Sequence, residues 1–392
     1  TGRNSYARSL TERLASKEAA PADWCYLYNM NKPDQPRAVS LPAGKALVFQ
    51  EDMKGLIDRI QEEIPKTLNS NEYNRAKAAI MQKLQEEQNA KVEELNSISH
   101  KMGFDLKQTD KGLITIPLGN DGKPLEEEDF RQLSQEKSQI LEERSRELNL
   151  IIMEAFKRIR DLDRESQQQV EQLEKEMITK ILDQLVGGMK EKYQNHPEIL
   201  VFLEDVKQDV LLNISEFRNP EERNTLENIL FKQERSKGAT KKYLVNILVD
   251  NSALNGAPVV VETNPTYYNL VGKIEYDSHL GVLTTDFTKI KAGALHRANG
   301  GYLILQCKDL FANPYSWNAF KRALKTGKII IENLTSQFGI IPTSSLKPEP
   351  IPLDVKVILI GSYQEYQLLQ IFDEDFHKLF KVKADFDSEM ER

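Results

Sequence analysis

The sequence KAGALHRANGGYLILQCKDL, residues 291–310, decides the fold of this chain. Its centre is the apolar run YLIL at residues 302–305, which follows two glycines and is followed by Gln306 and Cys307. A short apolar and β-prone run between turn residues is typical of a strand that is buried on both faces. The stretch therefore predicts an α/β core with a parallel sheet, in which Gln306 and Cys307 stand at the carboxyl end of a central strand.

Five more runs have the same apolar, β-prone character. They lie at residues 24–30, 243–249, 258–262, 328–332 and 355–360. An amphipathic pattern at residues 317–326 predicts a helix between two of these strands. Since the runs occur near both ends of the chain, we expect one α/β domain that both ends build together.

Residues 49–237 differ in composition from the rest of the chain. Glu, Gln, Lys, Arg and Leu dominate this region, and its apolar residues recur at helical spacing. The pattern predicts one helix that ends at Pro65, a second from about residue 71 to 101, and a third from about residue 126 to 185. The paired glycines at 187 and 188 would end the third helix.

The third predicted helix has an apolar seam that steps mainly by three and four residues, with the polar Ser166 as an interruption. At 1.5 Å per residue, a helix of about 60 residues extends about 90 Å, too far for the interior of a compact domain. We therefore predict a long antiparallel coiled-coil insertion. Both a purely structural arm and an arm that gates an entrance or binds a partner are compatible with the pattern.

The simplest domain organisation is an α/β core interrupted by this insertion. Residues 1–48 would form the first part of the core and residues 238–392 the remainder. Between them, residues 49–237 would form the helical insertion, with a small β break near 104–123. Within that break, LITIPL at 113–118 predicts a strand.

The bulk composition excludes several classes of protein. The net charge is −7, with 29% charged residues, so no overall positive field favours nucleic acid. The two cysteines are isolated, and no pair among the five histidines has metal-binding spacing. No apolar run approaches the roughly 18–20 residues that span a bilayer. We expect a cytoplasmic protein without a membrane or nucleic-acid partner, and without a metal site.

Four segments together resemble the AAA+ module of Lon-like proteases, in the branch with a long helical insertion and a degenerate nucleotide site. Residues 1–5 are similar to the end of a phosphate loop, and residues 269–272, followed by a loop and then 294–301, to the segment before the Walker B strand. Residues 302–307 and 355–362 are similar to the Walker B and sensor 1 strands. The resemblance implies a parallel sheet of the P-loop NTPase type, and a strand with the rest of the phosphate loop ahead of residue 1.

The phosphate-loop segment departs from the family pattern. In the most direct alignment, Arg3 follows Gly2 where the family has Lys, and Asn4 takes the Ser/Thr position. Lys reaches the β- and γ-phosphates and the hydroxyl binds Mg²⁺ in a working loop, and Arg is not a conservative substitute for Lys. A shifted alignment brings Ser5 to the hydroxyl position but misplaces the helix start.

The other nucleotide-site positions depart as well. Gln306 and Cys307 replace the acidic pair of the Walker B strand, and neither is an anion in an apolar strand at neutral pH. Asp309, two residues on, is a candidate substitute, but on a strand it would share a face with Cys307 and lie about 6–7 Å further along. Ser362 stands where sensor 1 has Asn. The expected arginine-finger segment, FDEDFHKLFK, has no Arg.

In that segment the candidate substitutes for the finger are His377 and Lys378. Because four features are lost together, we expect little or no ATP hydrolysis and no required cofactor. ATP or ADP binding without turnover stays open, because a helix N-terminus still attracts anions.

A further implied site is a pore loop that grips polypeptide. The segment YDSHLGVLTTD holds the place of such a loop in the resemblance. Tyr276, Leu280 and Val282 are the candidate gripping residues, and Gly281 gives the loop freedom to move. The alternative is an ordinary hairpin whose apolar residues belong to the core.

The resemblance implies a ring, expected to be a homohexamer, that feeds unfolded polypeptide to a Ser–Lys peptidase domain. That domain would lie beyond this chain, which itself carries no catalytic dyad. Two alternatives remain at this stage. One is an active ATP-dependent protease unfoldase with a noncanonical phosphate loop, and the other is a coiled-coil scaffold that binds partners.

Overall fold

The computed structural model of the chain describes residues 2–109, 112–119, 122–125, 135–218, 240–279, 282–332 and 345–386. The chain divides into two compact units. The α/β unit comprises Thr1–Glu62 and Leu182–Arg392, and the helical unit comprises Glu63–Ile181. The predicted insertion, residues 49–237, is wider than the helical unit, and its role as a separate domain remains a prediction.

The strands are short, and most of them belong to the α/β unit. In chain order they are β1 (Asp23–Leu27), β2 (Arg37–Leu41), β3 (Phe104–Thr109), β4 (Gly112–Pro117), β5 (Val245–Val249), β6 (Val259–Glu262), β7 (Lys273–Ile274), β8 (Asp277–His279), β9 (Val282–Thr284), β10 (Ile290–Lys291), β11 (Gly301–Gln306), β12 (Lys328–Ile329), β13 (Ile351–Pro352) and β14 (Val355–Ile360). Of these, β3 and β4 lie in the helical unit.

The helices range from single turns to one long rod. In chain order they are α1 (Gly2–Ala15), α2 (Lys45–Leu68), α3 (Asn71–Lys101), α4 (Gln135–Lys192), α5 (Pro197–Leu212), α6 (Tyr267–Val271), α7 (Ala294–Arg297), α8 (Cys307–Phe311), α9 (Pro314–Thr326), α10 (Tyr363–Phe372) and α11 (Phe376–Leu379). None of the helices in the described ranges is long and apolar enough to cross a membrane.

The predicted parallel sheet is confirmed, and β11 is its central strand. It pairs in parallel with β6 on one side and β14 on the other. Leu303 and Leu305 are fully buried, as expected for a strand covered on both faces. The glycine that begins the strand has a steric cause: a Cβ on Gly301 would lie 2.2 Å from the carbonyl oxygen of Pro258.

A second, antiparallel sheet has β1 at its centre, between β2 and β5. Cys25, Tyr26 and Leu27 on β1 are fully buried, which explains the apolar run that predicted this strand. Tyr26 also donates its hydroxyl hydrogen to the carbonyl oxygen of Glu349, at 2.8 Å. The residues that hold this sheet therefore come from both ends of the sequence, as expected for one interrupted α/β unit.

The helical unit contains an antiparallel pair formed by α3 and α4. Tyr73 donates a hydrogen bond to Glu174 at 2.5 Å, and Gln88 donates one to Asp163 at 2.8 Å. As the residue number rises along α3, the number of its partner falls along α4, so the two helices run antiparallel. The coiled-coil character of this pair remains a prediction. Of the predicted β break, the strand at 113–118 corresponds to β4, and it pairs with β3.

Two predicted helix ends are wrong. Pro65 does not end α2, which continues to Leu68. Helix α4 runs through the two glycines, 187 and 188, and ends at Lys192. Burial explains both: Ile64 and Val186, beside the breakers, and Tyr193, just after α4, are all buried. Tertiary packing of such residues can offset the roughly 1 kcal/mol cost of a helical glycine and the larger cost of a proline.

Candidate functional site

The candidate site is the carboxyl edge of the parallel sheet, where β11 and β14 end side by side. Gln306 is directly opposite Ile360 in the parallel register, so Cys307 is next to Gly361. A Cβ on Gly361 would lie 2.9 Å from Cys307 Sγ and 3.1 Å from Glu365 Oε2. A side chain at position 361 would therefore force Cys307 or Glu365 to shift. We call Gln306, Cys307, Ser362 and Glu365 the carboxyl-edge site.

The position of Cys307 after the apolar run suggested a strand residue. In the structure Cys307 is instead the first residue of α8. Its side chain is buried, and burial raises the pKa of the thiol to about 12, with a smaller contribution from the nearby Glu365 carboxylate. The thiol is therefore neutral at physiological pH. Asp309 also lies in α8, so strand alternation does not place it on the face of Cys307.

Ser362 and Glu365 form a capping box at the start of α10. The backbone N–H of Glu365 donates to Ser362 Oγ at 3.2 Å, and the backbone N–H of Ser362 donates to Glu365 Oε2 at 2.6 Å. The hydroxyl of Ser362 is thus used in a helix cap. Glu365 was missed from the sequence, although the pattern Ser-x-x-Glu before an apolar helix signals this arrangement.

The predicted phosphate-loop residues Gly2, Arg3, Asn4 and Ser5 form the first turn of α1. Further along this helix, Ala7 lines a cavity of about 680 Å³ together with Cys307 and Ser362. The N-terminal half of α1 therefore lies close to the carboxyl-edge site. Whether these first residues bind phosphate remains a prediction.

The far end of α1 is fixed at the opposite edge of the sheet. Ala15 packs with Tyr302, which is opposite Lys356 near the start of β14. Tyr302 and Lys356 both donate hydrogen bonds to Glu18, each at 2.7 Å. These bonds, that from Lys356 above all, hold the pKa of Glu18 below its usual range. Helix α1 therefore runs antiparallel to the strands of the parallel sheet.

His377 and Lys378, the candidate finger substitutes, are exposed residues of the short helix α11. His377 lines the same cavity as Cys307. The neighbouring Phe376 is buried and packs on Tyr366, with ring centroids 5.8 Å apart, which fixes this helix on the unit. The structure thus brings His377 near the carboxyl-edge site.

The segment before α11 is held by a polar clamp. Trp317 Nε1 donates a hydrogen bond to Asp373 at 2.7 Å, and Lys321 Nζ donates to the same carboxylate oxygen at 2.6 Å. Burial opposes ionisation of Asp373, but the hydrogen bonds from Lys321 and Trp317 outweigh it and lower the pKa. The clamp therefore fixes the position of α11 relative to α9.

The candidate pore-loop segment forms a hairpin of β8 and β9. Tyr276 lies at its base, where the half-buried ring packs against the main apolar core. Val282 begins β9, opposite His279. Leu280 and Gly281 lie outside the described residues. A role of Tyr276 and Val282 in gripping polypeptide stays a prediction.

His296 lies outside the carboxyl-edge site and is almost completely buried. The backbone N–H of Gly293 donates to its Nδ1 at 3.3 Å, and its Nε2 has no partner within the described residues. Burial lowers the pKa of this histidine to about 3, so the ring is neutral at physiological pH. Across the described ranges, no group of three or more His, Cys, Asp or Glu side chains could hold a metal ion.

Comparisons with known proteins match two parts of the α/β unit. Residues 255–387 match the family model of the LonB-like AAA domain, and residues 23–56 match that of the Lon-like LonC helical domain. No curated protein matches the chain. The first matched range contains the whole parallel sheet, the carboxyl-edge site and the β8–β9 hairpin.

Proposed function

We propose that this chain, which is a module of a Lon-like protease, receives unfolded polypeptide for a peptidase domain and hydrolyses little or no ATP. The matches to the AAA and helical domains of Lon-like proteins support the protease assignment. The low or absent ATPase activity is supported by the chemistry of the carboxyl-edge site. Assembly into a hexameric ring is part of the same proposal.

The observation that carries the proposal is the neutral, buried thiol at position 307. ATP hydrolysis in P-loop enzymes needs carboxylate at the strand end to hold Mg²⁺, which neutralises the charge that develops on the phosphates. Neither Gln306 nor Cys307 supplies that charge. The carboxylate that does lie nearby, Glu365, accepts a hydrogen bond from the N–H of Ser362 as part of a helix cap.

The polypeptide-receiving role is proposed from the hairpin and from the family match. The β8–β9 hairpin lies within the range that matches the AAA domain. At its base, Lys289 pairs with Asp277 at 2.8 Å, and Thr285 donates a hydrogen bond to the carbonyl of Glu275 at 2.7 Å. A base fixed in this way lets the far end of the hairpin contact a chain without loosening the fold.

The experiment measures ATP turnover and ADP binding in the longest natural form of the protein, beside degradation of an unfolded casein. We expect casein degradation without added nucleotide and no turnover above a heat-inactivated control. Lys308→Ala serves as a control, because it changes an exposed residue next to Cys307 and should leave both activities as they are in the parent. Nucleotide-dependent degradation would overturn the proposal.

One observation favours a second candidate, an ATP-driven unfoldase with a noncanonical phosphate site. The cavity of about 680 Å³ lies beside the N-terminal half of α1, and a helix N-terminus attracts phosphate. In that case Arg3→Ala should abolish ATP turnover, whereas Arg13→Ala, near the other end of α1, should leave it unchanged. Turnover that neither variant alters would exclude this site.

One deletion distinguishes the scaffold alternative from a role of the helical unit in substrate entrance. It removes the α3–α4 hairpin, residues 71–181, and closes the gap with a Gly-rich linker. If the helical unit takes part in substrate entrance, casein degradation should fall by tenfold or more while cleavage of a short peptide is unchanged. If it serves only to bind partners, both rates should stay at the parental level.

A further inference from the structure

The β8–β9 hairpin belongs to one continuous segment, residues 273–291, between helices α6 and α7. Strand β7 begins this segment and β10 ends it, and the two strands pair antiparallel, Lys273 with Lys291 and Ile274 with Ile290. The hairpin is thus carried by a ladder of two residue pairs. Contacts just outside this ladder therefore bear on the position of the hairpin.

Just outside the ladder the two chains touch backbone to backbone, at Gly272 before β7 and at Gly293 after β10. A Cβ on Gly272, whose φ is 97°, would lie 2.5 Å from the carbonyl oxygen of Lys291. A Cβ on Gly293 would lie 2.3 Å from the carbonyl oxygen of Leu270 and 2.4 Å from the nitrogen of Gly272. A side chain at either position would force the two backbones apart. We call this approach of Gly272 and Gly293 the glycine contact.

The ring of His296, on α7, reaches both chains of the glycine contact. Its Nδ1 accepts a hydrogen bond from the backbone N–H of Gly293 at 3.3 Å. Its Cε1 would lie 3.5 Å from a Cβ on Gly272, an ordinary van der Waals distance. His296 is only 1% exposed. This residue therefore joins the chain before β7 to the chain after β10.

The hydrogen bond to Gly293 explains why a histidine stands at this buried position. Burial keeps the ring neutral, and a neutral ring that accepts at Nδ1 carries its hydrogen on Nε2. Nε2 has no partner among the described residues, and a buried donor without a partner lowers stability. An apolar side chain would fill the same space without that cost, but it would leave the buried N–H of Gly293 without an acceptor.

A second polar residue holds the same chain on the other side of β10. The side-chain amide of Asn246, on β5, donates hydrogen bonds to the carbonyl oxygens of Phe287 at 2.8 Å and Ile290 at 3.1 Å. These bonds fix the chain as it enters β10, whereas His296 fixes it after β10. Because His296 also contacts Gly272, it acts on both ends of the segment that carries the hairpin.

We propose that His296 is a positioning residue for polypeptide capture: it holds Gly293 against Gly272 and so sets the position of the β8–β9 hairpin. The inference rests on the polypeptide-receiving role proposed for that hairpin. His296 acts through Gly293 and β10, without contact to the polypeptide. Its loss should weaken the capture of an unfolded protein and leave the cleavage of a short peptide unchanged, because a short peptide does not depend on the hairpin.

Two amide substitutions separate the hydrogen bond from the bulk of the ring. The side-chain oxygen of Asn lies close to the place of Nδ1, so His296→Asn can still accept the hydrogen bond from Gly293. In His296→Gln the amide lies one carbon further out, near the place of Nε2, so the N–H of Gly293 loses its acceptor. Arg297→Ala is the matched control, since it removes an exposed neighbour on α7 and its ion pair with Glu262.

Hydrogen exchange measured by mass spectrometry, on the longest natural form of the protein, tests the positioning. In His296→Gln we expect exchange in residues 273–279 and 282–291 to rise by about tenfold or more, whereas His296→Asn and Arg297→Ala should resemble the parent. Strand β11 is the internal control and should exchange alike in all four proteins. Parental exchange in His296→Gln, equal acceleration in both His296 variants, or acceleration that β11 shares would each refute the proposal.

Degradation kinetics test the consequence for function. With unfolded casein, His296→Gln should raise KM by about tenfold with little change in kcat, while hydrolysis of a short peptide stays at the parental rate. His296→Asn should match the parent. An unchanged KM beside accelerated exchange would refute the positioning role. A parent that does not degrade casein would instead refute the polypeptide-receiving function, and the exchange comparison would still decide whether His296 positions the hairpin.

Discussion

Because His296 is buried, we expect the chain to lose stability in acid. The substitution His296→Gln measures the part of this loss that comes from His296. In the folded chain burial holds the pKa of this histidine at about 3. The ordinary value, expected for the unfolded chain, is about 6.5. Because the folded pKa is the lower one, the unfolded state binds the proton first as pH falls. The contribution of His296 is therefore constant above about pH 6.5 and is lost progressively between about pH 6.5 and about pH 3.

The magnitude follows from the size of the shift. Each pH unit below the unfolded pKa removes about 1.4 kcal/mol from the free energy of unfolding. From pH 6.5 to pH 5 the loss from His296 is therefore about 2 kcal/mol, a large part of the 5–15 kcal/mol that is usual for a domain. Gln does not titrate, so the His296→Gln variant should lack this term.

The assay is urea unfolding, followed by far-UV circular dichroism, of both proteins at several pH values. The difference in free energy between parent and variant should be flat above about pH 6.5 and should change by about 1.4 kcal/mol per unit below it. All other titrating groups cancel in the difference. Parallel curves for the two proteins, with no change in their separation, would refute the assigned burial of His296.

Three further predictions concern single contacts. Tyr73→Phe should lower the stability of the helical unit by about 1.5–3 kcal/mol in urea unfolding, since it removes a buried hydrogen bond to the Glu174 carboxylate; a parental midpoint would contradict this. Gly361→Ala should lower the melting temperature because its Cβ would meet Cys307 Sγ at 2.9 Å, and Cys307→Ala in the same chain should recover part of the loss. Glu365→Ala should cost about 1 kcal/mol in thermal unfolding through the lost helix cap, and Glu365→Gln should cost less because Gln can still accept the hydrogen bond.

The core of the fold could be predicted because its sequence signals are local. The run at residues 302–305 is apolar enough to specify a central strand, and β11 includes it. The strand at β14 and the helix at α9 followed from the same kind of pattern. In β11 and α9 the residues that define the pattern are those that the structure buries, whereas the apolar residues of β14 are only half-buried.

The predicted helix ends were wrong because there the local sequence signals and the burial disagree. Pro65 and the glycines at 187 and 188 have strong local preferences, and these predicted breaks that the structure does not have. The residues that override them, such as Tyr193, are stabilised by distant partners: Tyr193 donates a hydrogen bond to Asp52 at 2.6 Å and packs on Phe49. Such partners are separated in sequence by more than a hundred residues, so no local pattern predicts them.

At the carboxyl-edge site the sequence identified the departures from the family but not their physical connection. The structure shows that positions 307 and 365 share one small space, since a Cβ on Gly361 would approach both side chains within 3.1 Å. A carboxylate at position 307 would face the Glu365 carboxylate there, and two like charges that close disfavour each other. The helix cap that fixes Glu365 is therefore compatible with a neutral thiol at 307 and opposes an acid. The neutral thiol at 307 and the capping box of Ser362 and Glu365 are thus coupled features of one site.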